Sequence, residues 1–148
     1  MSILFIGKNQ DPFSLQAATY LTEKFPDAEI VWSSKSTPIP KELYSWKGEF
    51  LFSYLSQWII PKTILDNVQH SAINWHPGSP DYPGIGCTNF ALYNEEKEFG
   101  ITCHHMNPKV DTGKIIDVRY FPISENETVK SLTIKCYAHI LASFLTIL

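Results

Sequence analysis

Cysteine is scarce in this chain of 148 residues, and its pattern argues against two structural classes. The three cysteines, Cys87, Cys103 and Cys136, are odd in number, widely spaced and without a Cys-x-x-Cys pair. A disulfide framework or a zinc cluster would need paired, closely spaced cysteines. No other group of side chains has metal-ligand spacing either, so we expect neither disulfides nor a metal site.

Charge of one sign and long apolar runs are also scarce. The formal net charge is −3, and the 12 lysines and arginines are scattered along the chain. A nucleic-acid-binding surface would group them on one face, so binding to a polynucleotide is disfavoured. The longest nearly apolar run, residues 140–148, is far shorter than the ~20 residues of a membrane helix. The N-terminal segment lacks a basic leader and is typical of a first strand, so we expect a cytoplasmic protein.

The sequence also lacks linkers, repeats and low-complexity segments. Hydrophobic residues make up 44% of the chain and aromatic residues 14%, enough for one substantial core. We therefore expect a single domain over residues 1–148. The chain stops at Leu148, on an apolar position of a helical pattern without a glycine or asparagine cap. This ending predicts a domain that is truncated at its C-terminus.

Apolar periodicity predicts an alternation of strands and helices. Runs of strand length lie at residues 3–6, 29–32, 50–54, 71–75, 100–106 and 115–123. Helical patterns lie between or after them, at residues 12–25, 61–68, 88–95 and 129–148. Such β-α-β units with short connections imply an α/β fold with a mainly parallel sheet and helices on both faces. The link at residues 107–114 is too short for a parallel crossover, so the last two strands should form an antiparallel pair near the C-terminus.

The last helical pattern carries one apolar stripe. Its members recur at helical spacing and are Val129, Leu132, Cys136, Ile140, Phe144 and Leu148. We expect this stripe to be exposed and to need a cover, which a symmetric dimer would supply.

Polar residues that can carry chemistry are concentrated where the fourth predicted strand ends. Side chains alternate along a strand, so Asn74 and His76 should point to one side while Trp75 points away. Pro77 stops the strand, and ligands of parallel sheets bind at the carboxyl ends of the strands. The proline- and glycine-rich loop that follows can be both rigid and close to a ligand. Further along, Asp111 lies in the tight link between two strands, and a carboxylate near an imidazole fixes its tautomer.

At these residues the sequence resembles the folate-dependent formyltransferases. That family pairs an Asn-x-His-Pro motif with a downstream Asp-x-Gly, which here stand at residues 74–77 and 111–113. Between them, residues 82–84 resemble the family's loop, and residues 100–104 its Gly-x-Thr-x-His strand. The resemblance covers roughly residues 50–145, and the ordered set is far more specific than any single motif.

The resemblance implies a fold, a mechanism and a set of site residues. The fold would be the Rossmann-like three-layer formyltransferase fold, with 10-formyltetrahydrofolate as the formyl donor. The catalytic residues would be Asn74, His76 and Asp111, and the acceptor would contact Tyr82 and His104. The cofactor would lie against two segments, whose candidate residues are Ser56, Gln57, Trp58, Ile59, Ile60, Pro61, Asn107 and Val110.

Within the family, residues 82–90 look most like the nucleotide-sugar N-formyltransferases. Enzymes acting on initiator tRNA or glycinamide ribonucleotide usually carry arginine where this chain has Pro83. The first loop, residues 7–11, departs from the Gly-rich phosphate loop of the glycinamide ribonucleotide enzyme. The expected acceptor is therefore a small molecule, an amino-sugar nucleotide. We expect no nucleic-acid or membrane partner, and the apolar stripe of the last helix predicts a homodimer.

Other interpretations stay open. Taken singly, Asn74 could merely close a strand and Asp111 could be a turn residue before Gly113. The same trio could also activate water, which would make the protein a formyltetrahydrofolate hydrolase. A third possibility is a catalytically dead or incomplete formyltransferase-like binding module. We also expect the chain to bind the folate but to hold its amine acceptor weakly unless a partner subunit or further C-terminal residues complete the site. His104 and His105 should face opposite sides of a strand, which disfavours a metal site using both.

Overall fold

The computed structural model describes residues 1–107 and 113–148. Within these ranges the strands are β1 (Ile3–Lys8), β2 (Glu29–Ser33), β3 (Gly48–Tyr54), β4 (Val68–His76), β5 (Glu98–His105) and β6 (Ile115–Pro122). The helices are α1 (Pro12–Lys24), α2 (Lys62–Leu65), α3 (Cys87–Tyr93) and α4 (Val129–Ile147), with one 3-10 turn at Lys41–Tyr44. No helix in the described part of the chain combines the length and apolar character needed to cross a membrane.

The strands form one mixed sheet in the order β2-β1-β3-β4-β5-β6. Strands β1 to β4 are parallel to one another, β5 runs antiparallel to β4, and β6 runs antiparallel to β5. The expected α/β fold, with a mainly parallel sheet and an antiparallel pair near the C-terminus, is confirmed. The carboxyl ends of β1 to β4 thus meet at one edge, where the residues after each strand come together.

The structure places the boundary between α2 and β4 earlier in the chain than the sequence predicted. The helix was expected to reach Val68, but it ends at Leu65, and Val68 pairs with Gly48 as the first residue of β4. A turn closes the helix, because Asp66 N donates to the Lys62 carbonyl at 2.8 Å and Asn67 N donates to the Ile64 carbonyl at 3.0 Å. Apolar periodicity over so short a segment could not separate the last helical turn from the first strand residues.

Two hydrophobic cores cover the two faces of the sheet. The first lies under α1, α3 and α4 and includes Phe5, Tyr54, Trp75 and Phe144. The second is smaller and joins Leu4, Ile6 and Leu51 of the strands to Leu43 of the 3-10 turn and Ile64 of α2. Both faces of the central strands are therefore covered, as a parallel sheet requires.

Helix α1 forms as its sequence predicts. The Asp11 carboxylate accepts a hydrogen bond from Ser14 N at 2.7 Å, and Pro12 occupies the first helical position. Ala17 and Leu21 of the predicted stripe are fully buried, and Phe25 is partly buried against the same core. The stripe places α1 against the sheet and next to α4.

Helix α4 corrects the expectation of an exposed stripe. Thr128 caps the helix reciprocally with Ser131, and the stripe residues Leu132, Cys136, Ile140 and Phe144 are all fully buried. They pack into the first core, so the chain's own sheet covers the stripe. The stripe therefore gives no support to a dimer.

Trp75 is anchored in the first core. It is only 1% exposed, and its ring centroid lies 4.9 Å from that of Phe144, 5.7 Å from Phe52 and 6.2 Å from Tyr54. The contacts with Phe144 and Phe52 are edge-to-face, and that with Tyr54 is tilted. Edge-to-face contacts at such distances are favourable beyond the area that they bury. The prediction that Trp75 points away from Asn74 and His76 is confirmed, and the structure places its side chain in the core.

We expect Phe144→Ala to destabilise the fold by about 3–5 kcal/mol, because it removes a fully buried ring and leaves a cavity beside Trp75. Urea denaturation would measure the loss. The matched control is Leu145→Ala, whose side chain is 40% exposed and should cost far less. Equal losses for the two variants would contradict the placement of α4.

Candidate functional site

A cavity of about 680 Å³ opens at the carboxyl ends of β3 and β4. We call it the large cavity. It is bounded by the segment after β3, the end of β4, the start of α3 and the first turns of α4, and its members include Trp58, Ile60, Asn74, His76, His104 and Tyr137. Most of the lining is apolar, with a few polar groups brought together at the end of β4, as is common in small-molecule sites.

The polar centre of this cavity is formed by Asn74 and His76. Both leave β4 on the face opposite Trp75, Asn74 partly buried and His76 only 5% exposed. His76 Nε2 lies 2.6 Å from the Tyr82 carbonyl oxygen. A carbonyl only accepts, so Nε2 carries the hydrogen and donates it, and in the neutral ring Nδ1 is the basic nitrogen.

The loop after β4 is fixed by close contacts at Gly78. A Cβ atom at this position would lie 2.6 Å from His76 Nε2 and 2.8 Å from the Tyr82 carbonyl oxygen, so a larger side chain would displace one of them. The buried Thr102 hydroxyl donates to the Gly78 carbonyl at 2.7 Å. This bond ties the loop to β5 and holds the Tyr82 carbonyl where His76 needs its acceptor.

Cys87 belongs to this group, although sequence reasoning did not place it there. It is the first residue of α3, and its Sγ lies 3.0 Å from the Tyr82 carbonyl oxygen and 3.6 Å from His76 Nε2. The signal available was its position just after the proline- and glycine-rich loop. Cys103 and Cys136 are different, because burial raises the pKa of each thiol to about 12 and leaves it inert at neutral pH.

His104 lies directly opposite Asn74 on the neighbouring strand β5. Its Nδ1 donates to the His105 carbonyl at 2.9 Å, and its Nε2 lies 3.3 Å from Asn74 Nδ2. In the neutral ring Nε2 therefore accepts from the Asn74 amide, which orients that amide. His105 is bonded instead to Ser71 Oγ at 2.8 Å. Over residues 1–107 and 113–148, no group of three His, Cys, Asp or Glu side chains is placed to hold a metal ion.

A second cavity of about 270 Å³ lies behind the same two histidines. We call it the small cavity, lined by His76, Ser79, Pro80, Pro83, Thr102, His104, Gly113 and Ile115. His76 and His104 thus form a wall shared by both cavities.

The residues expected to bind the folate are divided by the structure. Ser56, Gln57, Trp58, Ile59 and Ile60 line the large cavity, as does Asn107. Pro61 does not line it and instead begins α2, where its carbonyl accepts from Ile64 N at 3.0 Å.

The segment after β3 is itself held in place. The Trp58 indole donates to the Ser34 and Thr37 carbonyls at 3.0 and 2.9 Å. Gln57 N donates to Ser33 Oγ at 2.8 Å.

The Tyr82 hydroxyl donates to Glu96 Oε1 at 2.8 Å and accepts from Asn94 Nδ2 at 3.1 Å, and the side chain lines neither cavity. Tyr82 contributes to the polar centre only through its carbonyl, which accepts from His76.

Asp111 and Val110 lie outside the described residues. Gly113 approaches β5 so closely that a Cβ there would overlap the His105 carbonyl.

Two lysines near the large cavity were not foreseen. Lys35 lines it, and Lys8, at the end of β1, donates to the hydroxyl of Tyr137 at 2.9 Å, while Tyr137 also lines it. Their positions in sequence are remote from the Asn-x-His-Pro motif, and only the folded sheet brings them to the same edge. The sequence offered no signal beyond their location after predicted strands.

The comparisons with known proteins concern the sequence and the fold of this chain. A family model described as formyl transferase matches residues 49–140. The methionyl-tRNA formyltransferase of Listeria innocua is 32% identical over 93 residues, which are 62% of this chain and 30% of that protein. This chain therefore spans less than a third of that relative.

Solved structures share the fold over nearly the whole chain. The N-formyltransferase from Helicobacter canadensis, solved with folinic acid and dTDP-3-aminofucose, has a TM-score of 0.82 at 20% identity, over 97% of this chain and 61% of that one. The formyltransferase PseJ from Anoxybacillus kamchatkensis, solved with a UDP-linked formamido sugar and tetrahydrofolate, has a TM-score of 0.77 at 22% identity, over 99% of this chain and 74% of that one. At such identities the likeness shows the fold alone.

We expect Thr102→Val to destabilise the fold by about 1–3 kcal/mol, because it leaves the Gly78 carbonyl without its donor in a buried site. The control is Thr102→Ser, which keeps the hydroxyl and should lose much less. Thermal denaturation of both variants would measure the difference. A Val variant as stable as the Ser variant would contradict the role given to this bond.

Proposed function

Since this chain belongs to the formyl transferase family, we propose that it transfers a formyl group from 10-formyltetrahydrofolate to an amine. The observation that carries the proposal is that the Asn74 amide and the His76 imidazole line the same wall of the large cavity. An amide donor beside an imidazole is what acyl transfer through a tetrahedral intermediate requires.

In the proposed mechanism the amine attacks the formyl carbon, and negative charge develops on the formyl oxygen. The Asn74 amide donates to that oxyanion, while its contact with His104 Nε2 keeps the amide from rotating. A donor in such a position is typically worth about 3 kcal/mol of transition-state stabilisation.

His76 handles the proton of the attacking amine. Its Nε2 is held by the Tyr82 carbonyl, so Nδ1 is the atom that accepts the proton. As the intermediate collapses, the bond to the folate N10 breaks and N10 takes up a proton, so that tetrahydrofolate and the formamide leave. By the family resemblance, Asp111 orients and polarises His76.

The formyl donor is proposed to occupy the large cavity. Trp58, Ile60 and Met106 give its inner part an apolar lining that suits a flat pterin ring, and the backbone of residues 56–60 supplies polar groups at its edge. Folinic acid and tetrahydrofolate in the two solved relatives support a folate here.

The acceptor is proposed to be an amino-sugar nucleotide. In this proposal the phosphates are held by Lys35, which lines the large cavity, and by Lys8, which bonds to the lining residue Tyr137. The sugar nucleotides in the two solved relatives support this class. The Listeria relative is named for a tRNA substrate, but the scattered positive charge of this chain favours the small acceptor.

We expect His76→Ala and Asp111→Ala each to reduce formyl transfer at least about a hundredfold, because general acid–base assistance is lost. The assay follows formamide formation from 10-formyltetrahydrofolate with a panel of amino-sugar nucleotides. His70→Ala is the control, since that histidine is exposed and contacts Glu49. Far-ultraviolet circular dichroism of each variant would establish that the fold is intact, and an active His76→Ala protein would contradict the mechanism.

The same assay distinguishes the alternatives. A hydrolase would release formate from 10-formyltetrahydrofolate without any amine, and this release would also need His76. A binding module would bind a stable folate analogue in calorimetry but form neither formate nor formamide. Either result would replace the transferase proposal.

We expect chelator or added zinc to leave the transfer rate unchanged, because the proposed chemistry uses only an amide, an imidazole and a carboxylate. The measurement is the initial rate before and after dialysis against a chelator. Activity that a chelator removes and zinc restores would show that a metal takes part.

A further inference from the structure

The large cavity is bounded by residues from both faces of the sheet. On the face of the smaller core its lining includes Trp58 and Ile60, where the proposed pterin site lies. On the face that α3 and α4 cover, the lining includes Thr88, Thr133 and Tyr137. We call these last three residues the hydroxyl wall, because each of them brings a hydroxyl group to this side of the cavity.

The hydroxyl wall runs away from the reaction centre. Its threonine pair is joined by a contact of 3.4 Å between Thr88 Oγ1 and Thr133 Oγ1, and Thr88 follows Cys87, whose Sγ lies 3.6 Å from His76 Nε2. Tyr137 lies one turn beyond Thr133 on the same face of α4, about 6 Å along the helix axis.

The far end of the wall is fixed by the order of the strands. Tyr137 bonds to Lys8 at the end of β1, and β1 is separated from β4 by β3. Two strand spacings place the end of β1 about 10 Å from the end of β4. The threonine pair is therefore near the polar centre, and Tyr137 with Lys8 is farther from it.

Hydrogen bonds within the wall leave the threonine pair as acceptors. Thr133 Oγ1 donates its one hydrogen to the Val129 carbonyl at 2.7 Å. The hydrogen between the two threonine hydroxyls must then come from Thr88. Because both hydrogens are used within the chain, a ligand meets only oxygen lone pairs here. Such a site suits the O–H groups of a sugar.

The far end of the wall offers donors instead. Lys8 Nζ donates to the Tyr137 hydroxyl at 2.9 Å. An ammonium group only donates, so the Tyr137 oxygen is the acceptor in this bond and keeps its own hydrogen for another partner. Phosphate oxygens only accept, and the charge of Lys8 strengthens hydrogen bonds to them. This end of the wall therefore suits phosphates.

We propose that the hydroxyl wall orients the acceptor, with its sugar hydroxyls at the threonine pair and its phosphates at Tyr137 and Lys8. This proposal rests on the proposed function, because it takes the acceptor to be an amino-sugar nucleotide. In such a molecule the sugar ring lies between the amine and the phosphates, which matches the order of the polar centre, the threonine pair and Tyr137. The reverse orientation would set phosphate oxygens against the threonine acceptors, where neither side has a hydrogen to share. The wall thus selects the orientation that brings the amine to His76.

The test measures binding at the two ends of the wall separately. Thr88→Val replaces one hydroxyl by a methyl group, and Tyr137→Phe removes the hydroxyl at the other end. Calorimetry first selects the tightest-binding member of a panel of thymidine-, uridine- and guanosine-diphosphate amino sugars, and then compares it with its nucleoside diphosphate. We expect Thr88→Val to raise the dissociation constant about threefold to tenfold for the amino-sugar nucleotide alone, and Tyr137→Phe to raise it as much for both ligands.

Three controls accompany these variants. Thr88→Ser keeps the hydroxyl and should bind both ligands as the unchanged chain does. Thr146→Val removes an exposed hydroxyl of α4 that donates to the Ala142 carbonyl, and it should change no affinity. Folinic acid should bind every variant equally, because its proposed site lies on the other side of the cavity. Circular dichroism would establish that each variant is folded.

Binding and transfer can fail independently. The proposal would be overturned if Thr88→Val weakened the nucleoside diphosphate, if both variants left the acceptor affinity unchanged, or if they weakened folinic acid instead. It would also be overturned if the unchanged chain bound none of the amino-sugar nucleotides. A chain that shows the expected pattern of affinities but forms no formamide would support the hydroxyl wall and contradict the proposed formyl transfer.

Discussion

The burial of Trp75 is the constraint on which the site depends. Its ring is fixed among Phe52, Tyr54 and Phe144 in the core beneath α4. Because strand side chains alternate, a Trp75 held on that face forces Asn74 and His76 onto the other. The polar pair is thus aimed by hydrophobic packing on the far side of the sheet. The packing of Trp75 therefore contributes both to the stability of the core and to the orientation of its two neighbours, Asn74 and His76.

A second layer of constraint comes from the loop that follows β4. His76 is bonded to the Tyr82 carbonyl, and the same loop is tied back to β5 through Thr102. Cys87 donates to that carbonyl as well, so one oxygen collects an imidazole and a thiol. The Tyr82 carbonyl therefore favours the His76 tautomer that carries its hydrogen on Nε2, and Nδ1 is then the basic nitrogen.

Local patterns predicted the parts of this structure that local rules govern. Alternation placed Asn74 and His76 opposite Trp75, and helical spacing identified the apolar stripe of α4, although we expected that stripe to be exposed. Periodicity shows which side chains share a face, but it does not show what covers that face. For this reason we expected a second copy of the chain to cover the α4 stripe, whereas the chain's own sheet covers it. The sequence did not predict that Lys35 lines the large cavity, because this residue follows a different strand from Asn74 and His76. Only the order of the strands in the sheet brings these residues to the same edge.

Position 78, in the loop after β4, and position 85, in the lining of the large cavity, differ in how freely their side chains can change during evolution. At Gly78 any added carbon meets His76 and the Tyr82 carbonyl, so this position is closed to change while the chemistry is retained. Ile85, by contrast, lines the large cavity while 94% exposed. A lineage could alter this side chain repeatedly and acquire new acceptors while inheriting the same reaction centre. Directed evolution of acceptor choice would begin with a library at position 85.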